Sequence, residues 1–257
     1  MARTKLNLRT APKWLGKDWK SSLLVEGLFL GLLIAITLGM HSKRNSWIEP
    51  FCSIRREICR QDHINALDRL AIGMKSDRAD ASSFTTQNWS GYLAYGVPAL
   101  YLGYRVAGAL IAPHVALMQF SMHAVLSLQA TFLNQATNEV VKVVAPRPRP
   151  FVFEDLPTHG KLPAHYTSFY SGHTSFTAVA VFSLIFGLLW LGAPRWLWIS
   201  CSVFGGFLII ATGYFRVVSG RHYPTDTFAG AIAGLIMVGL TYWIHRRGTS
   251  LQLFKKK

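Results

Sequence analysis

The sequence predicts an all-α protein, a polytopic membrane bundle of six transmembrane helices with an amphipathic helix on its outer surface. Composition is the first reason, because 51% of the 257 residues are hydrophobic and only 15% are charged, against about 25% charged in soluble domains. Segment length is the second reason, since several apolar runs reach the roughly 20 residues that cross a hydrocarbon core. We expect a single membrane domain over residues 1–257.

Six spans are predicted from the apolar segments. Four are separate runs, and the segment 89–133 is long enough for two more. The separate runs are residues 22–40, 175–192, 196–215 and 227–244. Glu26 lies inside the first run, near its cytoplasmic end, where we expect the carboxylate to reach water.

The basic residues predict the orientation of these spans. The net charge is +15, and the two tails hold many of the cations: residues 1–20 carry six Lys or Arg against one acid, and residues 245–257 carry five against none. Because Lys and Arg concentrate on the cytoplasmic side of membrane proteins, both tails are predicted to be cytoplasmic, and no nucleic-acid partner is expected. The loop 41–88 then lies outside, although its eight basic and six acidic residues support that placement less strongly.

The outer loop 41–88 contains a predicted amphipathic helix and two cysteines. We expect that helix on the membrane surface, over the site, or packed on the outer surface of the protein itself. The apolar residues that share its helical spacing are Ile64, Leu67, Leu70, Ala71 and Met74. A disulfide between Cys52 and Cys59 requires a turn, because a straight helix would separate their Cα atoms by about 10.5 Å.

Two polar segments are predicted to meet on the outer face, the loop at about 137–174 and the link at 216–226. Together they carry three cations, Lys142, Arg149 and Arg216. Arginine forks and a lysine point charge neutralise the oxygens of a phosphoryl group, so these residues predict a phosphate site.

The same segments supply groups for phosphoryl transfer. Ser171 and Gly172 precede the fourth span, where we expect their backbone N–H groups to point outward and bind an anion at a helix N-terminus. His222 is followed four residues later by Asp226, whose carboxylate we expect to fix the tautomer of a nucleophilic imidazole. His173 is then the predicted general acid and base.

These residues resemble the three motifs of the type 2 phosphatidic acid phosphatase superfamily, in its membrane lipid phosphate phosphatase branch. The first motif, a lysine, six residues and Arg-Pro, is present at 142–150. The second, Pro-Ser-Gly-His, appears as Tyr-Ser-Gly-His at 170–173. The third, Ser-Arg, five residues, His, three residues and Asp, appears with Phe for Ser at 215–226. Neither departure removes a group to which we assign phosphate binding.

The resemblance implies a metal-independent phosphatase that forms a phosphohistidine on His222, at a site facing away from the cytoplasm. The residues agree about the metal, because Glu154 and Asp155 are adjacent and point in different directions, so they do not form a ligand pair. No cofactor is expected. The expected catalytic residues are His222, His173 and Asp226. The expected phosphate-binding residues are Lys142, Arg149, Ser171, Gly172 and Arg216.

The expected substrate is a lipid phosphomonoester or lipid pyrophosphate, because groups at span ends lie near the headgroups of the bilayer. Undecaprenyl pyrophosphate, phosphatidylglycerol phosphate, phosphatidic acid and lipid A phosphates all suit a cationic site. The short chain and basic tails favour a bacterial inner membrane, with the endoplasmic reticulum as the alternative. Two other functions stay open: an anion or lipid transporter using the same cations without hydrolysis, and a haloperoxidase with vanadate at His222, against which six spans argue.

Overall fold

The computed structural model describes residues 19–55, 57, 59–72, 74, 113–190 and 195–246, and within these ranges it contains helices and turns without a β-strand. The helices are α1 (Trp19–Trp47), α2 (Phe51–Ile54), α3 (Ala66–Arg69), α4 (Pro113–Val144), α5 (Leu156–His159), α6 (Gly172–Trp190), α7 (Arg195–Val218) and α8 (Pro224–Arg246). The all-α class is confirmed for this part of the chain. Most of the two predicted tails, 1–20 and 245–257, lies outside it.

The long helices form a bundle around α6. This helix packs against α4, α7 and α8, and α4 also packs against α1. Four apolar segments of the described chain are long enough to cross a membrane, namely Leu24–Ile54, Gly172–Leu189, Arg195–Val218 and Pro224–His245. The protein is therefore an integral membrane bundle, but the count of six spans is not confirmed. Much of the 89–133 segment, in which we predicted two spans, lies outside the described residues.

α4 has 32 residues and carries a buried polar face. Asn134 and Asn138 on this face are both buried. The side-chain amide of Asn134 donates to Ser175 Oγ at 3.0 Å, and that of Asn138 donates to the Tyr170 carbonyl at 2.9 Å. Tyr170 Oη in turn donates to the Asn134 carbonyl at 3.2 Å. Buried amides need such partners, so α4 fixes the segment that enters α6.

Two glycines of α8 allow it to lie directly on α6. A Cβ atom on Gly230 would stand 2.7 Å from the Ser171 carbonyl oxygen, and one on Gly234 would stand 2.6 Å from that of Ser175. Only a residue without a side chain fits at these distances. The N-termini of α6 and α8 consequently lie side by side at one end of the bundle, where their N–H groups favour negative charge.

The outer segment differs in detail from its prediction. α1 continues to Trp47, past the expected end of the first span at residue 40. Because α2 ends at Ile54, the chain turns back and brings Cys52 and Cys59 into a disulfide with their Cα atoms 5.5 Å apart. In the described part of the stretch expected to be amphipathic, the helical residues are the four of α3, and they pack against α8. Ala71 is buried there, whereas Leu67 and Leu70 are exposed.

Glu26 does not reach water, so that expectation is wrong. The residue is buried, and its Oε2 accepts a hydrogen bond from Gln129 Nε2 at 2.7 Å and lies 3.1 Å from His245 Nε2. Its partners stand 103 and 219 positions away in sequence, so hydropathy could not show them. We call Glu26, Gln129 and His245 the distal polar cluster. His245 follows Asp226 by 19 positions on α8, which separates the cluster from the N-terminus of that helix by about 28 Å.

Candidate active site

The predicted site residues converge at the end of the bundle where α6 and α8 begin and α4 and α7 end. Lys142 lies in the last turn of α4 and Arg216 in the last turn of α7. Arg149 precedes a 3₁₀ turn in the loop between α4 and α6. Gly172 and His173 open α6, and His222 lies two residues before α8. The topology predicted from the spans therefore brings the two polar segments together.

His222 is positioned by the way α7 ends. Gly220 has a φ of 64°, a conformation that glycine adopts without steric cost, and it closes the helix with an N–H bond to the Val217 carbonyl at 2.9 Å. The chain then reverses, so that the N–H groups of Arg221 and His222 both donate to the Arg216 carbonyl at 3.2 Å. This reversal holds the backbone of His222 beside that of Arg216.

The imidazole of His222 is buried, and its tautomer is set by a backbone carbonyl. Nδ1 donates to the Ser168 carbonyl at 2.7 Å, which places the lone pair of the neutral ring on Nε2. Burial lowers the pKa of His222 to about 3, and the cations Arg216 and Arg149 act in the same direction against the opposing effect of Asp226. The ring is therefore neutral at physiological pH and presents Nε2 as a base or nucleophile.

Asp226 has a different partner from the one expected. Its Oδ2 lies 3.7 Å from His222 Nδ1, which is ion-pair range, because the hydrogen bond of that nitrogen goes to Ser168. The carboxylate instead accepts from Ser168 Oγ at 2.5 Å and from the Tyr223 N–H at 3.0 Å. A third bond, at 2.5 Å, comes from Arg147 Nη1. Asp226 thus supplies negative charge beside the imidazole, while Ser168 sets the tautomer.

The three predicted cations surround the same space. Arg149 donates through Nη2 to Thr167 Oγ1 at 3.0 Å, and its buried Nε has no hydrogen-bond partner among the described residues. Arg216 is buried, and a Cβ atom on Gly172 would stand 3.7 Å from Lys142 Nζ. Burying a guanidinium N–H without an acceptor costs free energy, and an oxygen atom of a ligand would supply that acceptor. This geometry therefore suits a bound oxyanion.

Lys142 shares Glu139, the acid on its own helix, with two residues of α1. Lys142 Nζ lies 4.0 Å from the Glu139 carboxylate, whereas Arg44 Nη1 donates to both carboxylate oxygens at 2.9 and 3.1 Å. His41 Nδ1 lies 3.1 Å from the same group. Because α1 provides these two closer partners, Glu139 divides its negative charge among three cationic groups, of which Lys142 is the most distant.

The N-terminus of α6 is partly used by the protein itself. The N–H of Ser171 donates to the Asp226 carbonyl at 3.0 Å, so the expectation that it points outward is wrong. The hydroxyl of Ser171 caps the helix, bonding the Thr174 hydroxyl at 2.9 Å and its N–H at 3.4 Å. The N–H groups of Gly172 and His173 are then the candidates for an anion. A Cβ on Gly172 would press on Asn138 Oδ1 at 3.2 Å.

His173 is more exposed to solvent than His222. Its side chain is half-buried, unlike that of His222. Its side chain feels the electrostatic effect of the three cations expected around the phosphate, Arg216, Lys142 and Arg149, and it also interacts with His222. The two histidines, on separate segments of sequence, therefore face the same cationic space.

Two residues that the sequence reasoning missed link the site to the outer segment. Arg147 donates to Asp226 through Nη1 and to Asp68 through Nη2, the latter at 2.6 Å. Burial disfavours the charge of Arg147, but the two carboxylates outweigh burial and raise its pKa. A signal for Arg147 was present, since it is one of two arginines that each precede a proline in the first motif. Asp68 had no local signal, because its site partners lie 79 and 157 positions away.

Comparison with known proteins identifies a family. The family model described as the PAP2 superfamily matches residues 123–250, about half of the chain, and the match contains all three motifs. The bacitracin transport permease protein BcrC of Bacillus licheniformis is 36% identical over 95 residues, which cover 35% of this chain and 41% of that relative. The match thus spans less than half of the relative's length. No solved structure matches the chain.

Proposed function

We infer that this chain, which belongs to the PAP2 superfamily of membrane phosphatases, hydrolyses a lipid phosphomonoester or lipid pyrophosphate through a phosphohistidine on His222. One observation carries the proposal: a buried, neutral imidazole with its lone pair on Nε2 stands in the same end of the bundle as three cations, Lys142, Arg149 and Arg216. Such an arrangement offers a nucleophile to an anion whose charge is already compensated.

In the first step, His222 Nε2 attacks phosphorus and forms a P–N bond as the P–O bond to the lipid breaks. His173, whose protonated form is favoured once the phosphate anion is bound beside it, gives its proton to the leaving oxygen. That oxygen is released as a lipid alcohol or, from a pyrophosphate, as a lipid monophosphate. The imidazole of His222 becomes positively charged. Asp226, 3.7 Å from Nδ1, stabilises that charge.

In the second step, His173, now neutral, accepts a proton from water. The water oxygen bonds to phosphorus as the P–N bond breaks, so inorganic phosphate leaves and the Nε2 lone pair returns to His222. His173 is again protonated. The Ser168 carbonyl holds Nδ1–H through both steps, which keeps Nε2 as the reacting atom.

The proposal assigns the compensation of phosphate charge to side chains, without a metal. Two carboxylates near the site, Asp68 and Asp226, are each bonded to Arg147. The positive charge that faces the phosphate comes from Lys142, Arg149 and Arg216, which together match the oxygens of a phosphoryl group.

The proposed substrate is a lipid because the site lies at the ends of membrane helices. A phosphate there reaches the cations while an acyl or prenyl chain stays in the bilayer. We place the protein in a bacterial inner membrane with this end outside. The lipids to compare are undecaprenyl pyrophosphate, phosphatidylglycerol phosphate, phosphatidic acid and lipid A phosphate.

Phosphate release tests the proposal. Detergent-solubilised protein is supplied with each of these lipids in the presence of a metal chelator, and free phosphate is measured. We expect release from at least one lipid, abolished in His222→Ala and retained in His63→Ala, which changes an exposed histidine of the outer segment. Folded wild-type protein that releases phosphate from none of the panel would contradict the proposal.

A second candidate is transport, because the name of the matched relative from Bacillus licheniformis describes a bacitracin transport permease. A transporter would use the cations to bind an anion and pass it through the bundle without bond cleavage. His222→Ala separates the two functions: hydrolysis requires Nε2, whereas transport requires only the charges. Flux of labelled lipid phosphate across proteoliposomes that survives this substitution, without phosphate release by the wild type, would favour transport.

A further inference from the structure

Asp68 is a buried carboxylate that enters the site from the outer segment. It belongs to α3, between the disulfide and the undescribed part of the loop, and its side chain is fully buried. We propose that Asp68 is a positioning residue for the reaction, acting through Arg147 and Thr225 to hold the carboxylate of Asp226 beside His222. This inference rests on the proposed phosphatase function.

Four hydrogen bonds define the position of the Asp68 carboxylate. Its Oδ2 accepts from Arg147 Nη2 at 2.6 Å, from Thr225 Oγ1 at 2.7 Å and from Asn65 Nδ2 at 2.7 Å, and its Oδ1 accepts from the Thr225 N–H at 3.1 Å. Burial opposes ionisation, but the bonds from Arg147, Thr225 and Asn65 outweigh it and lower the pKa of Asp68. The carboxylate is therefore charged at neutral pH.

The contact with Thr225 fixes the start of α8. Helices usually begin with a short polar side chain that accepts from one of the first free N–H groups, but the residue before α8 is Tyr223. Asp68 supplies that acceptor from 157 positions away. The next residue, Asp226, is thereby held in the first turn, where its Oδ2 reaches back to the Tyr223 N–H at 3.0 Å.

The contact with Arg147 balances charge around the imidazole. Arg147 stands between two carboxylates, bonding Asp226 through Nη1 and Asp68 through Nη2, and its guanidinium also lies 4.0 Å from the centre of the Tyr223 ring. Without Asp68, this cation would be matched by Asp226 alone. Asp226 would then offer less negative charge to the His222 imidazolium that forms during transfer, so the barrier would rise while the phosphate-binding cations stayed in place.

The test compares three variants of the full-length protein, using the panel lipid that the wild type hydrolyses fastest. Asp68→Asn removes the charge, Asp68→Glu keeps it, and Asp62→Asn makes the same charge change at an exposed carboxylate of the same segment. We expect kcat to fall roughly 10- to 100-fold in Asp68→Asn with KM changed less than about threefold, as for partners that orient an active group. Asp68→Glu should recover part of the loss, and Asp62→Asn should match the wild type.

A double-mutant cycle then asks whether Asp68 acts through Arg147. If it does, Asp68→Asn should lower kcat much less in an Arg147→Gln background than in the wild type, since the two changes remove one interaction. Equal losses in both backgrounds would overturn the proposed route. If Asp68→Asn does not fold, Asn65→Ala tests the role of Asp68 instead. It removes one hydrogen bond to the Asp68 carboxylate and should lower kcat without changing KM.

The outcomes also separate this inference from the proposed function. An active wild type together with a folded, fully active Asp68→Asn would overturn the role of Asp68 and leave the phosphatase proposal standing. Wild-type protein that neither releases phosphate from the panel nor binds vanadate, an analogue of the transferring phosphoryl group, would overturn both.

Discussion

Each end of the bundle contains a buried histidine beside a carboxylate, and the two pairs differ in which ring nitrogens are used. In the distal polar cluster, His245 Nδ1 lies 2.7 Å from the Thr241 carbonyl and Nε2 lies 3.1 Å from Glu26. At the site end, His222 Nδ1 is held by the Ser168 carbonyl, with Asp226 on the same side of the ring. Both ring nitrogens of His245 therefore have partners, whereas the Nε2 atom of His222 is available for a reaction.

The surroundings of the two pairs differ in charge as well. The side chains at the distal pair include an amide, Gln129, which donates to Glu26. The site pair has Arg147 on its carboxylate and Arg149 and Arg216 acting on its imidazole. A histidine–carboxylate pair is therefore not sufficient to predict chemistry. What distinguishes the site is an available imidazole nitrogen among buried cations, and the following predictions test that distinction.

The largest effect is expected from removing one imidazole and then the other. His222→Ala should lower kcat by at least about 10³-fold, because the nucleophile is lost, while vanadate binding persists through the cations. His245→Ala, at the distal pair, should leave kcat within about threefold of the wild type. The measurements are phosphate release and vanadate affinity on the two variants. Comparable losses of turnover in folded samples of both would remove the functional difference between the ends.

The next effect concerns the carboxylate of the site pair. Asp226→Asn should lower kcat about 10²-fold, because the carboxylate that stabilises the positive charge on His222 is lost. The loss should be smaller than at a site where the carboxylate also orients the histidine, since the Ser168 carbonyl still fixes the tautomer here. Steady-state kinetics on the panel lipid measures it. A loss as large as that of His222→Ala would mean that Asp226, rather than Ser168, sets the reactive nitrogen.

A smaller effect should follow from exchanging one cation for another. Arg149→Lys keeps the charge but removes the planar fork and its buried Nε, so we expect kcat/KM to fall about tenfold. Arg60→Lys is the matched control, since Arg60 is exposed and pairs with Asp62 in the outer segment. Kinetics that do not distinguish Arg149→Lys from Arg60→Lys would show that the fork geometry is irrelevant.

The smallest effect on turnover is expected at the distal carboxylate. Glu26→Gln should leave kcat unchanged but lower the free energy of unfolding by about 2 kcal/mol, because a neutral amide replaces the buried carboxylate that pairs with His245. Thermal unfolding in detergent, followed with phosphate release on the same samples, measures both quantities. Lost turnover with unchanged stability would reverse the roles assigned to the two ends.

The sequence predicted the parts of this account that depend on local pattern. Apolar runs located the segments of α1, α6, α7 and α8, because membrane helices must be long and apolar. Motif spacing located the residues that meet at the site end.

Contacts between segments that are distant in sequence could not be predicted from local patterns. We expected the Glu26 carboxylate to reach water, because its partners Gln129 and His245 come from other helices and no local pattern shows them. The hydrogen bond of His222 was assigned to Asp226 by i,i+4 spacing, whereas the loop before α6 brings the Ser168 carbonyl closer. Asp68 joins the site only because α3 docks on α8. In each case a tertiary partner satisfies a polar group that local spacing assigned elsewhere.

Trapping the covalent intermediate tests the central claim most directly. A panel lipid labelled with ³²P in its terminal phosphate is mixed with the wild type and with His173→Gln, in which loss of the base should slow release of phosphate. The reactions are quenched in alkali, where phosphohistidine survives, and the labelled peptide is identified. We predict label on His222 that accumulates in His173→Gln and is absent from His222→Ala. Phosphate release by the wild type with no label in either protein, or with label on another residue, would contradict the account.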